Sequence, residues 1–289
     1  MNRVFLFLIT NIVVVATLGL FLNIVLPAFG IVTGNTTTLL IFCAVFGVGG
    51  SFISLYMSKS MALRSVGGQV IETPRNSAEH WVFNTVSRLS RQANLPMPQV
   101  ALYQSDDINA FATGASKDNS LVAISTGLLG HMNQDEAEAV LAHEISHIAN
   151  GDMVTMALIQ GVLNTFVMFF ARIVAGIVDN AMRGNNNNGQ GMGFLARMAV
   201  TFVAEIVFGV FASIIAMWFS RQREYRADAG AGNLVGNHKM IAALQRLSTS
   251  QPSQLEGQLT AFGIIGKPSS LFASHPSIED RIARLQQPR

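Results

Sequence analysis

The chain has 289 residues, of which 50% are hydrophobic and only 12% charged, with a mean hydropathy of +0.38; an average soluble protein is about 25% charged. That composition excludes a disordered chain, a collagen-like fibre and a disulfide-stapled module, and the single cysteine, Cys43, precludes an internal disulfide. Nineteen basic against seventeen acidic residues, a net charge of +2, gives no electrostatic footprint for nucleic acid, and what remains is an integral membrane protein with a soluble part.

Residues 4–29 and 38–57 carry no charge, and each is long enough to cross a hydrocarbon core of about 30 Å. They predict a transmembrane hairpin over residues 1–57, joined by the polar loop GIVTGNTTT. The first run far exceeds the 7–15-residue core of a signal peptide, so it is expected to remain as a helix. Residues 58–152 read as the first part of a cytoplasmic domain. A helix is predicted at 78–94, strands at PQVALY (98–103) and SLVAI (120–124) with NAFATG between them, and a further helix from Asn133. The runs 153–178 and 194–219 predict a second transmembrane hairpin over 153–219. They contain Gln160, Asn164, Arg172, Arg197 and Glu205. In an antiparallel hairpin Arg172 and Glu205 fall at similar depth and can pair; the alternative is that the arginines snorkel to the interface and Glu205 is partly solvated. The Gly- and Asn-rich stretch RGNNNNGQGMG predicts a disordered link between the two helices. Residues 220–289 form the second cytoplasmic part, with helices expected at about 220–232, 237–249 and 276–286.

Orientation follows from Lys and Arg. Segment 58–152 holds six and segment 220–289 holds nine, whereas loop 30–37 holds none and loop 179–193 only Arg183. Both termini and both soluble parts are therefore expected on the cytoplasmic side. Strands first and helices after predict an α+β class: a mainly helical membrane protein with four transmembrane helices and a cytoplasmic domain containing a small β-sheet.

The chemistry is concentrated in HEISH, His143 to His147. Two histidines four apart on a helix share a face, so both imidazoles reach one metal ion, with Glu144 beside it. Asn133 and Glu136 are spaced as a capping box, Asn150–Gly151 ends the helix, and Ala137, Val140, Leu141, Ile145 and Ile148 form a buried stripe. A zinc protease needs a third protein ligand and leaves the fourth position to water. The extended HExxHxxGxxH pattern is absent, because Asn150 and Met153 stand at its last two positions. Candidates for the third ligand are Glu224, Asp228, His275, His238, His131 and His80. Glu224 is favoured: it lies just past the fourth apolar run, on the side where the chain left His147. Asp228, one turn later on the same face, can take the N–H of a ligand histidine.

Together HEISH, EYRAD (224–228), NAFATG (109–114) and SHPSIEDRI (274–282) make the chain, along essentially its whole length, resemble a family of bacterial membrane zinc metalloproteases. That family also includes the CAAX prenyl endopeptidases. The resemblance implies a zincin-like domain holding one zinc ion through His143, His147 and Glu224, with Glu144 as catalytic base and Asp228 behind the ligands. It also implies a multi-pass protein of the bacterial inner membrane, acting in quality control and stress response on protein or peptide substrates, membrane proteins among them. Zinc would acidify water and polarise the scissile carbonyl, and Glu144 would carry the proton to the leaving amine. His275, matching the family's His-Pro motif, is the expected oxyanion donor. Asn109, Ala110, Phe111 and Ala112 are expected as an edge strand that pairs with an extended substrate. Two alternatives stay open: a CAAX-type prenyl-peptide endopeptidase, and a non-catalytic zinc-stabilised membrane scaffold. Tyr103 and Trp81 are expected in the core or, with Trp218, at the interface, and His80, His131 and His238 at the surface.

Overall fold

The computed structural model describes residues 36–185, 191–249 and 275–287. The predicted helix at 4–29 and the Asn-rich residues 186–190 lie outside the described residues. In chain order the elements are α1 (Thr36–Val66), β1 (Gln69–Val70), α2 (Ser77–Gln92), β2 (Gln99–Tyr103), β3 (Ala110–Gly114), β4 (Ser120–Ser125), α3 (Thr126–His131), α4 (Gln134–Asn150), α5 (Asp152–Asn185), α6 (Phe194–Val235), α7 (Asn237–Thr249) and α8 (Ile278–Gln286). The fold is mostly helical with one small mixed sheet, and among the described residues α1, α5 and α6 are long and apolar enough to cross a membrane.

Two expectations about these helices need correcting. The run 38–57 stops at its first charge, but α1 continues through Lys59 and Arg64 to a left-handed Gly67 (φ +62°). There Gly68 N–H donates to Leu63 O at 2.8 Å, a C-terminal cap that needs a glycine. Likewise 194–219 and 220–232 are one helix of 42 residues, α6. A charge ends a segment's compatibility with hydrocarbon, not its helicity; Lys, Arg, Gln and Glu are good helix formers, and neither Gly nor Pro stands between Ala216 and Ala229.

The chain separates into two compact units. The first comprises residues up to Ile53 and Ala157–Ala216. Leu40, Cys43, Phe169 and Ile173 form its core. The helices meet at small residues: a Cβ on Gly47 would stand 2.7 Å from the Thr165 backbone nitrogen, so only glycine fits. Phe42, Phe46, Phe202 and Phe211 point outward, as side chains facing lipid do. Arg172 Nη1 reaches Glu205 Oε1 at 3.3 Å, so these two ionisable groups do pair.

The second unit comprises Ser54–Met156 and Met217–Arg289. Its sheet runs β1-β2-β4-β3, with β2 and β4 parallel and both outer pairings antiparallel. NAFATG is therefore not merely a connection; residues 110–114 form the edge strand β3. Every residue of β4 is buried, because both faces are covered. Ala62 with Leu63 and Val66 of α1 packs on Ala101, Tyr103, Phe111 and Ala123. On the other face Val122, Ile124 and Ala110 share the main core with Val140, Leu141 and Ile145 of α4. α4 thus lies across β3 and β4. α3 and the two-residue β1 have no counterpart in the sequence reading, being too short to show a period.

Candidate metal centre

α4 is shaped by its ends. Asn133 Oδ1 accepts from Glu136 N–H at 2.9 Å while Glu136 Oε2 accepts from Asn133 N–H at 3.0 Å, the reciprocal pair of a capping box. Gly151, at φ +65°, closes the other end in the left-handed conformation. The stripe Ala137, Val140, Leu141, Ile145 and Ile148 is buried in the core. The histidine face is buried too, with His143 2% and His147 9% exposed. α6 covers it, approaching closely at Gly230, where a Cβ would lie 2.6 Å from Ser146 Oγ. That approach brings Glu224 and Asp228 against HEISH.

His143 Nε2 and His147 Nε2 stand 3.1 Å apart. Glu224 Oε2 lies 3.4 Å from the first and Glu224 Oε1 3.3 Å from the second. One donor atom from each of the three residues falls within 4.8 Å of the others, a group that could hold a metal ion. Glu224 is fully buried, and its Oε1 accepts no hydrogen bond. A buried oxygen without a donor is costly, and an ion shared with the two Nε2 atoms would satisfy it. Two imidazoles and one carboxylate are a donor set that suits zinc.

A shell of partners orients these donors. Asp228 Oδ1 stands 3.0 Å from His143 Nδ1, close but without the alignment of a full hydrogen bond. Arg281 grips Asp228 with two contacts, Nε to Oδ2 at 2.8 Å and Nη2 to Oδ1 at 2.6 Å. Burial would raise the Asp228 carboxyl, which lies beyond the apolar run 194–219, but the Arg281 guanidinium holds it well below the usual range. His147 Nδ1 pairs with Asp152 Oδ2 at 2.7 Å. Burial disfavours charge on His147, yet Glu224 and Asp152 outweigh it and push its pKa up to about 10. The negative surround that retains a proton here is equally suited to a dication. Glu144 is 4% exposed; burial raises its carboxyl above the ordinary value, against the pull of His147, His143 and the Ala112 backbone N–H.

The structure brings His143, Glu144, His147, Glu224, Asp228 and His275 to one place. His275 Nδ1 lies 2.8 Å from Glu224 Oε2, while its Nε2 is buried without a partner. Of the four edge-strand residues, Asn109 and Phe111 turn their backbone groups to β4: Ser125 N–H donates to Asn109 O at 2.9 Å, and pairing alternates from there. The backbone groups of Ala110 and Ala112 therefore face away from β4, where Glu144 meets the Ala112 N–H. His80, His131 and His238 are exposed. Asp152 and Arg281 were missed by the sequence reading. Asp152 is five residues past His147, at the first position of a hydrophobic helix, where an acidic residue reads as a dipole partner; Arg281 is far away in sequence and reads as a surface charge.

A model of peptidase family M48 matches residues 76–289. The Protease HtpX of Aeromonas hydrophila is 61% identical over 289 residues, spanning 99% of this chain and 100% of the relative. That of Vibrio vulnificus is 59% identical over 288 residues, with 99% of each chain covered. The crystal structure of S. mikatae Ste24p superposes with a TM-score of 0.59 at 18% identity, covering 97% of this chain and 67% of that one. At that identity the likeness speaks for the fold alone.

Proposed function

The chain belongs to peptidase family M48 and is a metalloprotease, and from that premise we propose that it is a zinc-dependent membrane endopeptidase holding one zinc ion through His143, His147 and Glu224. The observation that carries this is the convergence of those three donors within 4.8 Å of one another, beside a buried Glu144. Bound there, zinc supplies Lewis-acid chemistry, acidifying water and polarising the scissile carbonyl.

The chain's own residues do the rest. Glu144, raised by burial toward a working base, takes a proton from the attacking water and delivers it to the leaving amine. Asp228 and Asp152 engage the Nδ1 atoms of the histidines, which leaves each Nε2 as the donor to the ion. His275 is the oxyanion donor in this reading, supported by its buried, unpartnered Nε2 beside Glu224. Because its Nδ1 already faces Glu224, it donates from Nε2 only as the cation. Ala110 and the carbonyl of Ala112 offer outward backbone groups to an extended peptide, which adds as a further strand.

The Lys and Arg bias supports four transmembrane helices with both termini and the site on the cytoplasmic side. The motif resemblance supports membrane or misfolded proteins as substrates, and a quality-control role at the bacterial inner membrane. Metal analysis, with hydrolysis of an unfolded protein substrate before and after chelation, tests the centre: zinc bound, activity lost to chelator and restored by zinc is expected. Activity that survives full zinc removal would overturn the reading. For topology, a reporter fused near Asn187 should be external and fusions near Lys117 and at Arg289 internal; an internal Asn187 fusion would mean that the second hairpin does not span.

A further inference from the structure

Two arginines stand beside the metal-binding donors, and they are treated differently by the fold. Arg281 is 1% exposed and fully engaged, both of its contacting nitrogens being taken by Asp228. Arg223 precedes Glu224 on α6, and its side chain is 19% exposed. Its Nε is buried with no hydrogen-bond partner. Among the described residues its one ion-pair neighbour is Glu224 Oε1, at 3.7 Å, beyond hydrogen-bonding reach. The charge of Arg223 is nonetheless felt at His147, whose proton it disfavours.

A buried guanidinium Nε–H without an acceptor is costly, and among the described residues none reaches that of Arg223. Metal binding deepens the deficit, because Glu224 then directs its charge to the ion. The cation also works against the ion, since it repels a dication beside its own ligand. A planar fork of donors next to the reacting centre, partly open to solvent, matches a main-chain carbonyl oxygen of a bound peptide.

Building on the zinc endopeptidase reading, we propose that Arg223 is a substrate-binding residue, donating to a main-chain carbonyl oxygen of the peptide held at the metal centre. The same donors would accept the terminal carboxylate of a short peptide, so the test carries both ligands.

Wild type, Arg223→Gln and Arg223→Lys are purified in detergent, and zinc affinity is measured by chelator competition. Binding is then measured on the zinc-loaded Glu144→Gln background, which does not turn over, using a labelled peptide with a blocked C-terminus and the same peptide with a free one. Loss of the contact should weaken peptide binding and kcat/KM by roughly 10–100-fold, the range for a hydrogen bond to a charged group. Zinc affinity should be unchanged or higher in Arg223→Gln, because a neighbouring cation is gone. Arg223→Lys, which keeps the charge but not the fork, should recover only part of the binding. An equal loss for both peptides identifies an internal carbonyl; a loss confined to the free-terminus peptide would replace it with the carboxylate and overturn the carbonyl assignment. Unchanged peptide binding, or zinc affinity falling in step with activity, would overturn the proposal and make Arg223 a support of Glu224. Failure of the underlying reading is separately visible, as a wild-type protein that binds no zinc.

Discussion

Arg172–Glu205 and Arg281–Asp228 are the same chemical pair placed in two different surroundings. The first, in the apolar unit, is a single contact of 3.3 Å between side chains 31% and 36% exposed. The second, in the unit with the candidate metal centre, is a two-contact grip between residues that are 1% and 2% exposed, and its carboxylate stands 3.0 Å from His143 Nδ1. The lesson is that an ion pair matters through what it is fastened to. The apolar unit is built from phenylalanines and close glycine contacts, and its pair relieves two costly charges. The other unit uses its pair to hold a charged carboxylate beside His143.

The sharpest way to break this comparison is at the two glutamates of α6. Glu224→Gln should remove zinc and all hydrolysis, while Glu205→Gln should keep zinc; zinc content of the two purified variants decides it, and loss from the Glu205 variant alone would reverse the assignment. Glu144→Gln should also abolish hydrolysis but with zinc retained, because only the proton carrier is lost. Near-normal turnover there would remove Glu144 from the mechanism.

Next in size are the partners of the ligands. Arg281→Met leaves Asp228 buried and unpaired, which should cost about 3–5 kcal/mol of stability in chemical denaturation. Asp228→Ala should lower zinc affinity by roughly 10–100-fold without erasing the site. Unchanged affinity in the Asp228 variant would reduce that grip to ordinary packing.

Proton release sharpens the same picture. In the metal-free protein His147 is held up to about 10, above the ordinary histidine value near 6.5. Between those values the free protein keeps the proton and a ligand histidine must lose it, so zinc binding should release a proton and affinity should rise with pH across that window. Calorimetry in buffers of different ionisation enthalpy measures this; proton uptake would contradict it. The smallest effect is expected at Arg172→Met, which should leave zinc affinity untouched and shift the thermal midpoint by only a few degrees, since about 1 kcal/mol moves a domain of this size by about 2–4 °C.

HEISH was legible because two histidines four apart address one ion whatever the rest of the chain does, and the capping box and Gly151 delimit their helix by local hydrogen bonds. The apolar runs were legible for a similar reason: length and lack of charge are properties of a segment. Helix ends were read less well where the signal was a change of solvent. Lys59 and Ser220 mark the end of an apolar run, yet α1 and α6 pass straight through them.

What the sequence by itself determined is therefore the HEISH pattern and the hydrophobic segments, since each depends on residues close together in the chain. Glu224 stood at the edge of that reach, chosen from its place in the chain. Only the tertiary structure decided that Asp152 orients His147 and that Arg281 grips Asp228. It also decided that Arg223 Nε is buried without an acceptor among the described residues. Neither Asp152 at a helix start nor an arginine in a charged helix differs in sequence from a solvated residue. Their burial, and with it the cost of leaving each charge unpaired, arises only when α4, α6 and α8 close around one another.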